Sequence, residues 1–265
     1  MKQRKKKNYE IKVLLTLIIG CLLVICVMIY KGYIDVFSPK QIITTTNFDV
    51  KLNKVAAKNN LSSSQWPEKY IEKAKSNPEI EEFVLNYPIK KDKNYSDDLS
   101  NLKNCKSVPL LMQWDERWGY NEYAGDIVGF TGCGPTCLSM VSIYLLNDTK
   151  YTPKYVTEFS IENGYATNGN GSKWTLISEG GNKLGLNVQE IPLDKNTVIK
   201  NLKQGNPIIC VVGPGDFTKT GHFIVLTDYK NGMIKVNDPN SEIRSSKNWD
   251  YDKIEPQIKN LWVCK

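Results

Sequence analysis

Histidine is almost missing from this chain: 265 residues contain one, His222. That excludes any metal site built on several histidines and argues against a mixed cysteine and histidine zinc site. No metal and no cofactor is therefore expected. A basic surplus is missing from most of the chain as well. The formal net charge is +7, but six basic residues against Glu10 in the first twelve account for +5, leaving +2 for everything else. A nucleic-acid-binding domain should carry its basic stripe on the folded part, so nucleic acid is not an expected partner. No internal repeat or low-complexity tract is visible, and 41% apolar residues with six Trp and fourteen Tyr describe a chain able to build a core.

Charge is also absent from Val13 to Tyr30, VLLTLIIGCLLVICVMIY. The run is close to the length that crosses a bilayer. No small-x-small cleavage site follows it, which argues against a cleaved signal peptide. Ile18-Ile19-Gly20-Cys21 could pass for a lipobox, yet the apolar run continues past Cys21. The reading is an uncleaved signal anchor. Residues 1–12 then form a basic cytoplasmic tail, 13–30 the span, and everything after Lys31 lies outside the cell.

Residues 31–62 are polar and rich in Lys and Asn, and they read as a stalk. Residues 63–104 read as an accessory helical segment and a charged linker. Within it Asn77 is a good N-cap, Pro78 suits the first helical position, and Ile80, Phe83, Val84 and Tyr87 recur at helical spacing. So short a helix is marginal alone and must dock on the main domain, about residues 105–265. There an apolar helix is expected after Cys133, with amphipathic helices near 153–163 and 195–204 ended by Gly164 and Gly205. Strand-like runs follow at Pro207–Val212, His222–Asp228 and Met233–Val236. Helices first and strands later indicate an α+β fold.

Outside the span lie Cys105, Cys133, Cys137, Cys210 and Cys264, an odd number that leaves at least one free thiol. In Gly132-Cys133-Gly134-Pro135-Thr136 the flanking glycines give the backbone freedom and Pro135 suits a helix start. Cys133 thus sits at a helix N-terminus, where the macrodipole lowers a thiol pKa, and that is what a nucleophilic cysteine needs. Cys137, one turn inside the apolar helix, should stay neutral. His222, leading the run Gly221-His222-Phe223-Ile224-Val225-Leu226, is the only base available to such a thiol. A third group should orient the imidazole, and Asn237-Asp238-Pro239 offers Asp238 first and Asn237 second. Cys105 and Cys264 bracket the domain and could pin its ends with a disulfide. Trp174 and the 213–221 loop could line a cleft, although a packed aromatic and a flexible hairpin explain them equally well.

The motifs GCGPT (132–136), GHF (221–223) and NDP (237–239), within segments 108–145, 206–226 and 234–247, resemble the bacterial peptidase C-thirty-nine-like family. This group is related to the double-glycine leader peptidases of the papain superfamily. The resemblance covers nearly all of 105–265, and NPEIEEFVLNYP resembles a helical piece that often precedes the domain. It implies a papain-like fold, and together with the anchor read from residues 1–30 it makes the chain a membrane-anchored, extracytoplasmic cysteine peptidase acting on a peptide or cell-envelope substrate. Cys133 would be nucleophile, His222 general base, Asp238 the orienting acid, and Gln113, in QWDERWG, an oxyanion donor. Acyl transfer would use the same residues, and a non-catalytic surface-tethered binding module would keep the same fold.

The choice between Asp238 and Asn237 turns on strand register. Paired residues on antiparallel strands share a face, and one step of register reverses the faces. A three-residue loop at 230–232 would pair Asp238 with Ile224 and set it on the His222 face. A two-residue Asn231-Gly232 turn would instead give that face to Asn237. Local turn chemistry permits both.

Overall fold

The computed structural model describes Leu15, Ile19 and residues 47–265. The basic tail, the apolar run read as an anchor and the first part of the stalk lie outside the described residues. Among the described residues no helix is long and apolar enough to cross a membrane.

The segment read as a stalk is, from Asn47 onward, a helix: α1 (Asn47–Lys58) buries Phe48, Leu52 and Ala56 on one stripe. Helices α2 (Glu68–Ser76) and α3 (Glu81–Lys90) complete a small helical layer. Asn77 accepts from the Glu79 N–H at 3.1 Å and caps the turn that leads into α3. That helix runs two residues past Pro88, which has no N–H to give the Val84 carbonyl four residues back. Trp66 replaces the missing donor, its Nε1–H reaching the Val84 oxygen at 2.9 Å.

One ring sits at the centre of the joint between this layer and the main domain. Phe83 stacks on Tyr120 at 4.3 Å and 5°, and the Tyr120 hydroxyl donates to the Phe83 carbonyl at 2.9 Å. The ring lies between Gly119 and Gly129, where a Cβ would stand 2.7 and 2.6 Å from its carbons. Burying such a ring stabilises by roughly 1.5–3 kcal/mol, and the stacking adds about 0.5–1.5 kcal/mol.

The main domain centres on α4 (Cys133–Leu146), which is apolar all round and has ten of its fourteen residues buried. A helix hydrophobic on every side belongs in an interior. Helix α5 (Pro153–Glu162) packs beside it, and α6 (Lys195–Lys203) lies further on. Gly164 and Gly205 follow α5 and α6 with positive φ, as their C-terminal positions require. Six antiparallel strands form the sheet: β1 (Val188–Glu190), β2 (Ile208–Val212), β3 (His222–Lys230), β4 (Met233–Asn237), β5 (Asn248–Trp249) and β6 (Ile258–Cys264). Their spatial order is β1-β6-β2-β3-β4-β5. Core residues cover both faces. Ile209, Val211, Phe223 and Val225 join the cluster that holds α4, while Ile208, Cys210, Val212, Ile224 and Leu226 join the one that holds α6. The architecture is α+β.

Asn231 and Gly232, at φ 53° and 82°, make a two-residue turn, and Lys230 pairs with Met233. Left uninterrupted, that register would put Asn237 on the His222 face. Between Leu226 and Asp228 the ladder shifts by one residue. Thr227 is the extra residue, its hydroxyl donating to the Lys235 carbonyl at 3.3 Å. Beyond the bulge Val225 pairs with Asn237. One further step sets Asp238 opposite Ile224, on the face of His222. The turn is thus the two-residue one, and the bulge reverses its consequence.

The Cys105–Cys264 disulfide is not formed, and both thiols are free. Cys264 ends β6 inside the core, held in the sheet by its backbone bond to the Pro207 carbonyl, while Cys105 is only partly buried at the edge of the same cluster.

Candidate active site

Gly132 caps α4 with an ordinary φ of −87°, and Gly134 is not in the left-handed region either. What these glycines supply is room rather than backbone freedom. A Cβ on Gly134 would meet the Ser172 hydroxyl at 2.6 Å, and one on Gly132 would meet Val128 at 2.5 Å. The chain can therefore pass close enough to leave Cys133 partly exposed at the helix start. As a first-turn residue its own N–H has no acceptor within the helix.

Burial pushes the Cys133 thiol upward. The hydrogen bond and charge of His222 outweigh it, helped by the Phe223 and Gly134 N–H groups aimed at the sulfur, and the thiol lies below its ordinary value. Cys137, one turn deeper, lacks these partners, and burial drives it well above the ordinary range. Two thiols four residues apart thus differ sharply in ionisation.

His222 is 8% exposed and Asp238 fully buried. The imidazole Nε2 and the Asp238 Oδ1 are 2.7 Å apart, so Nδ1 is the nitrogen turned toward Cys133. Desolvation alone would lower the imidazole pKa. The Asp238 charge, its hydrogen bond and the Cys133 contact reverse that and raise it to about 10. Desolvation likewise opposes the Asp238 charge, but the charges and hydrogen bonds of His222 and Arg244 hold its carboxyl below the usual carboxylate range.

Arg244 was not legible as a site residue. It lies on α7 (Glu242–Ser246), and its Nε donates to Asp238 Oδ2 at 2.6 Å. The neighbouring Ser245 hydroxyl accepts the Asp238 N–H at 2.8 Å, and Asn240 N–H donates to Oδ1 at 2.8 Å. Glu79, ahead of α3, holds this short helix from outside, accepting from the Ser241 hydroxyl and from the Ile243 N–H at 3.1 Å. The one available signal was Ser241 followed three residues later by Arg244, an N-cap opening a helix turn that carries a cation beside NDP.

Asn237 faces the other way, its Nδ2 donating to the Val108 and Pro109 carbonyls at 3.1 Å each. Gln113 is buried at 3%. Its Nε2 donates to the Gly129 carbonyl at 2.9 Å and its Oε1 has no partner, so it braces the turn ahead of Cys133. It does not line the cavity of about 680 Å³ that holds Cys133 and His222. Trp174 does line it, 46% exposed, edge-on to Trp262 at 6.1 Å. Among the described residues no group of acidic, cysteine and histidine side chains could hold a metal ion.

Eight solved chains match, including the following two. One is the peptidase domain of Streptococcus ComA, described as a bi-functional ABC transporter involved in a quorum sensing pathway. It shares 20% identity and a TM-score of 0.44, over 59% of this chain and 96% of that one. The other is a putative C39-like peptidase from Bacillus anthracis, at 15% identity and a TM-score of 0.40, over 60% of this chain and 94% of that one. A search of curated proteins finds no match. The model of the Peptidase_C39 like family matches residues 105–263. That is more than half of the sequence, and the chain belongs to this family.

Proposed function

We propose that this chain is a membrane-anchored, extracytoplasmic cysteine peptidase that hydrolyses peptide or related amide bonds through Cys133, His222 and Asp238. The observation that carries the reading is the single histidine, set between a depressed thiol and a fully buried carboxylate 2.7 Å away. In this reading the resting pair is thiolate and imidazolium. The thiolate attacks the substrate carbonyl carbon, forming a C–S bond, and the charge moves to the carbonyl oxygen. The Cys133 N–H receives that oxyanion, and Gln113 acts at one remove, bracing the Gly129 turn ahead of Cys133. His222 gives its proton to the leaving amine as the C–N bond breaks. It then takes one from the water that attacks the thioester, and the thiolate departs. Asp238 keeps the imidazole oriented and favours its charged form, without itself being protonated.

Full-length protein incubated with a proteome-derived peptide library should create new peptide N-termini, and Cys133→Ala should reduce them at least about a thousandfold. If the wild type releases none while its Cys133 is readily alkylated, the reading passes to a binding module. For the topology, protease added to intact cells stripped of wall should digest the chain beyond Lys31. Recovery of a soluble secreted form starting after residue 30 would contradict the anchor.

A further inference from the structure

The cavity around Cys133 has one wall that does not come from the main domain. Lys69 and Lys73 of α2 both line it. Lys69 is already engaged, its ammonium 3.0 Å from Asp126 Oδ2, while the Tyr70 hydroxyl donates to the other oxygen at 2.8 Å. Lys73 has no carboxylate partner among the described residues. Its ammonium sits over the Phe130 ring, 5.1 Å from the centroid, and Phe130 itself is packed at 4.6 Å against Tyr70. Phe130 precedes Cys133 by three residues, and all three side chains line the same cavity. Counting the charged groups of the wall, Asp126 cancels Lys69, Cys133 cancels His222, and Lys73 remains.

The cavity also continues. A second depression, of about 690 Å³, shares Lys69, Gly125 and Asp126 with the first and extends to Tyr87 and Tyr120. Helix α2 lines both, and α3 adds Tyr87 to the second. A groove of two linked depressions suits an extended chain rather than a small amide.

Resting on the peptidase reading above, we propose that Lys73 determines specificity at a subsite next to the scissile bond. The subsite takes a carboxylate, and the continuing groove assigns it to an Asp or Glu side chain inside an extended peptide. The Lys73 ammonium is exposed, with the Phe130 ring on one side, so a carboxylate that meets it gains an interaction on the scale of a surface ion pair.

The test uses full-length protein and four peptides derived from one sequence cleaved by the wild type: Glu at the subsite with an amidated C-terminus, its Gln and Lys counterparts, and the Gln peptide with a free C-terminus. The wild type should favour Glu over Gln by about threefold to fivefold in kcat/KM, the scale of a partly exposed ion pair. Lys73→Met should erase that preference, Lys73→Arg should restore it, and Lys73→Glu should turn it toward a Lys-containing peptide. Equal rates on Glu and Gln peptides in the wild type, or a preference that survives Lys73→Met, would overturn the subsite while leaving the peptidase reading intact. A gain only for the free C-terminus would overturn the side-chain assignment. Failure of the wild type to cleave any peptide would remove both.

Discussion

The helical layer of residues 47–90 and the six-stranded sheet hold the same site by different means. The sheet sets His222 and Asp238 through register, a property spread over a ladder of backbone bonds and sealed by core on both faces. The helical layer works through a few local contacts: one ring between two glycines, one carboxylate at the start of α7, and two lysines at the cavity wall. The family match begins at residue 105, after all of these helical residues. A boundary drawn from the Cys133, His222 and Asp238 motifs alone would therefore leave out part of what surrounds Cys133. Loss on the sheet side should strike the chemistry, whereas loss on the helical side should strike stability first and rate second.

The largest effect is expected at Asp238. Asp238→Asn should keep the shape but remove the charge that raises the His222 pKa, lowering kcat by about two to four orders of magnitude. The pH profile should narrow in a defined direction. In the proposed mechanism the thiolate and imidazolium act together, so the alkaline limb follows the loss of the His222 proton and should move down from about 10. Asn237→Ala, which strips two carbonyls of their donor on the other face, should cost about 1–3 kcal/mol of stability with little change in kcat. The reverse ranking in folded variants would mean that the bulge at Thr227 does not set the register. The same charges predict how stability varies with pH. His222 has a raised pKa, so its contribution is whole below about 6.5 and is lost as pH climbs through about 10. Asp238 has a lowered one, so its contribution is whole above its ordinary value and is lost as pH falls through the depressed one.

The next effect is at the joint between the two regions. Phe83→Ala leaves a cavity between Gly119 and Gly129 and should cost about 3–5 kcal/mol, read as a drop in chemical-denaturation midpoint. Early, separate melting of the helical layer would sharpen the contrast, and an unchanged midpoint would break it. The smallest effect is at Glu79. Glu79→Ala frees the start of α7, which carries Arg244 and Ser245, and should lower kcat about threefold to tenfold through a loosened Asp238. A fall confined to KM would show that Glu79 serves the groove instead.

Much of this arrangement was legible in the residues. The GCGPT helix start, the lone histidine on a strand and the aspartate after the next strand all stand where their patterns indicated, as do α5, α6 and the Asn77 cap. Three features were not. Strand β6 is buried on both faces, so Leu261, Trp262 and Val263 run together without the alternation that marks a half-buried strand. Helix α1 spaces Phe48, Leu52 and Ala56 one turn apart, but its other sides meet water and carry the Lys and Asn that read as stalk. The bulge at Thr227 arises from pairing with a second strand, and nothing local in Val225-Leu226-Thr227-Asp228 announces it. Arg244 and Glu79 stayed hidden because their partners are 6 and more than 160 residues away.

The central claim is that Cys133 is ionised by His222 at a helix start while its neighbour Cys137 is not. The rate of iodoacetamide alkylation at each thiol, followed by peptide mapping across pH, tests it most directly. Cys133 should react at pH values where an ordinary thiol is protonated, Cys137 should stay silent, and His222→Ala should return Cys133 to the behaviour of an ordinary buried thiol. Equal labelling of both cysteines, unchanged by the loss of the histidine, would contradict the account.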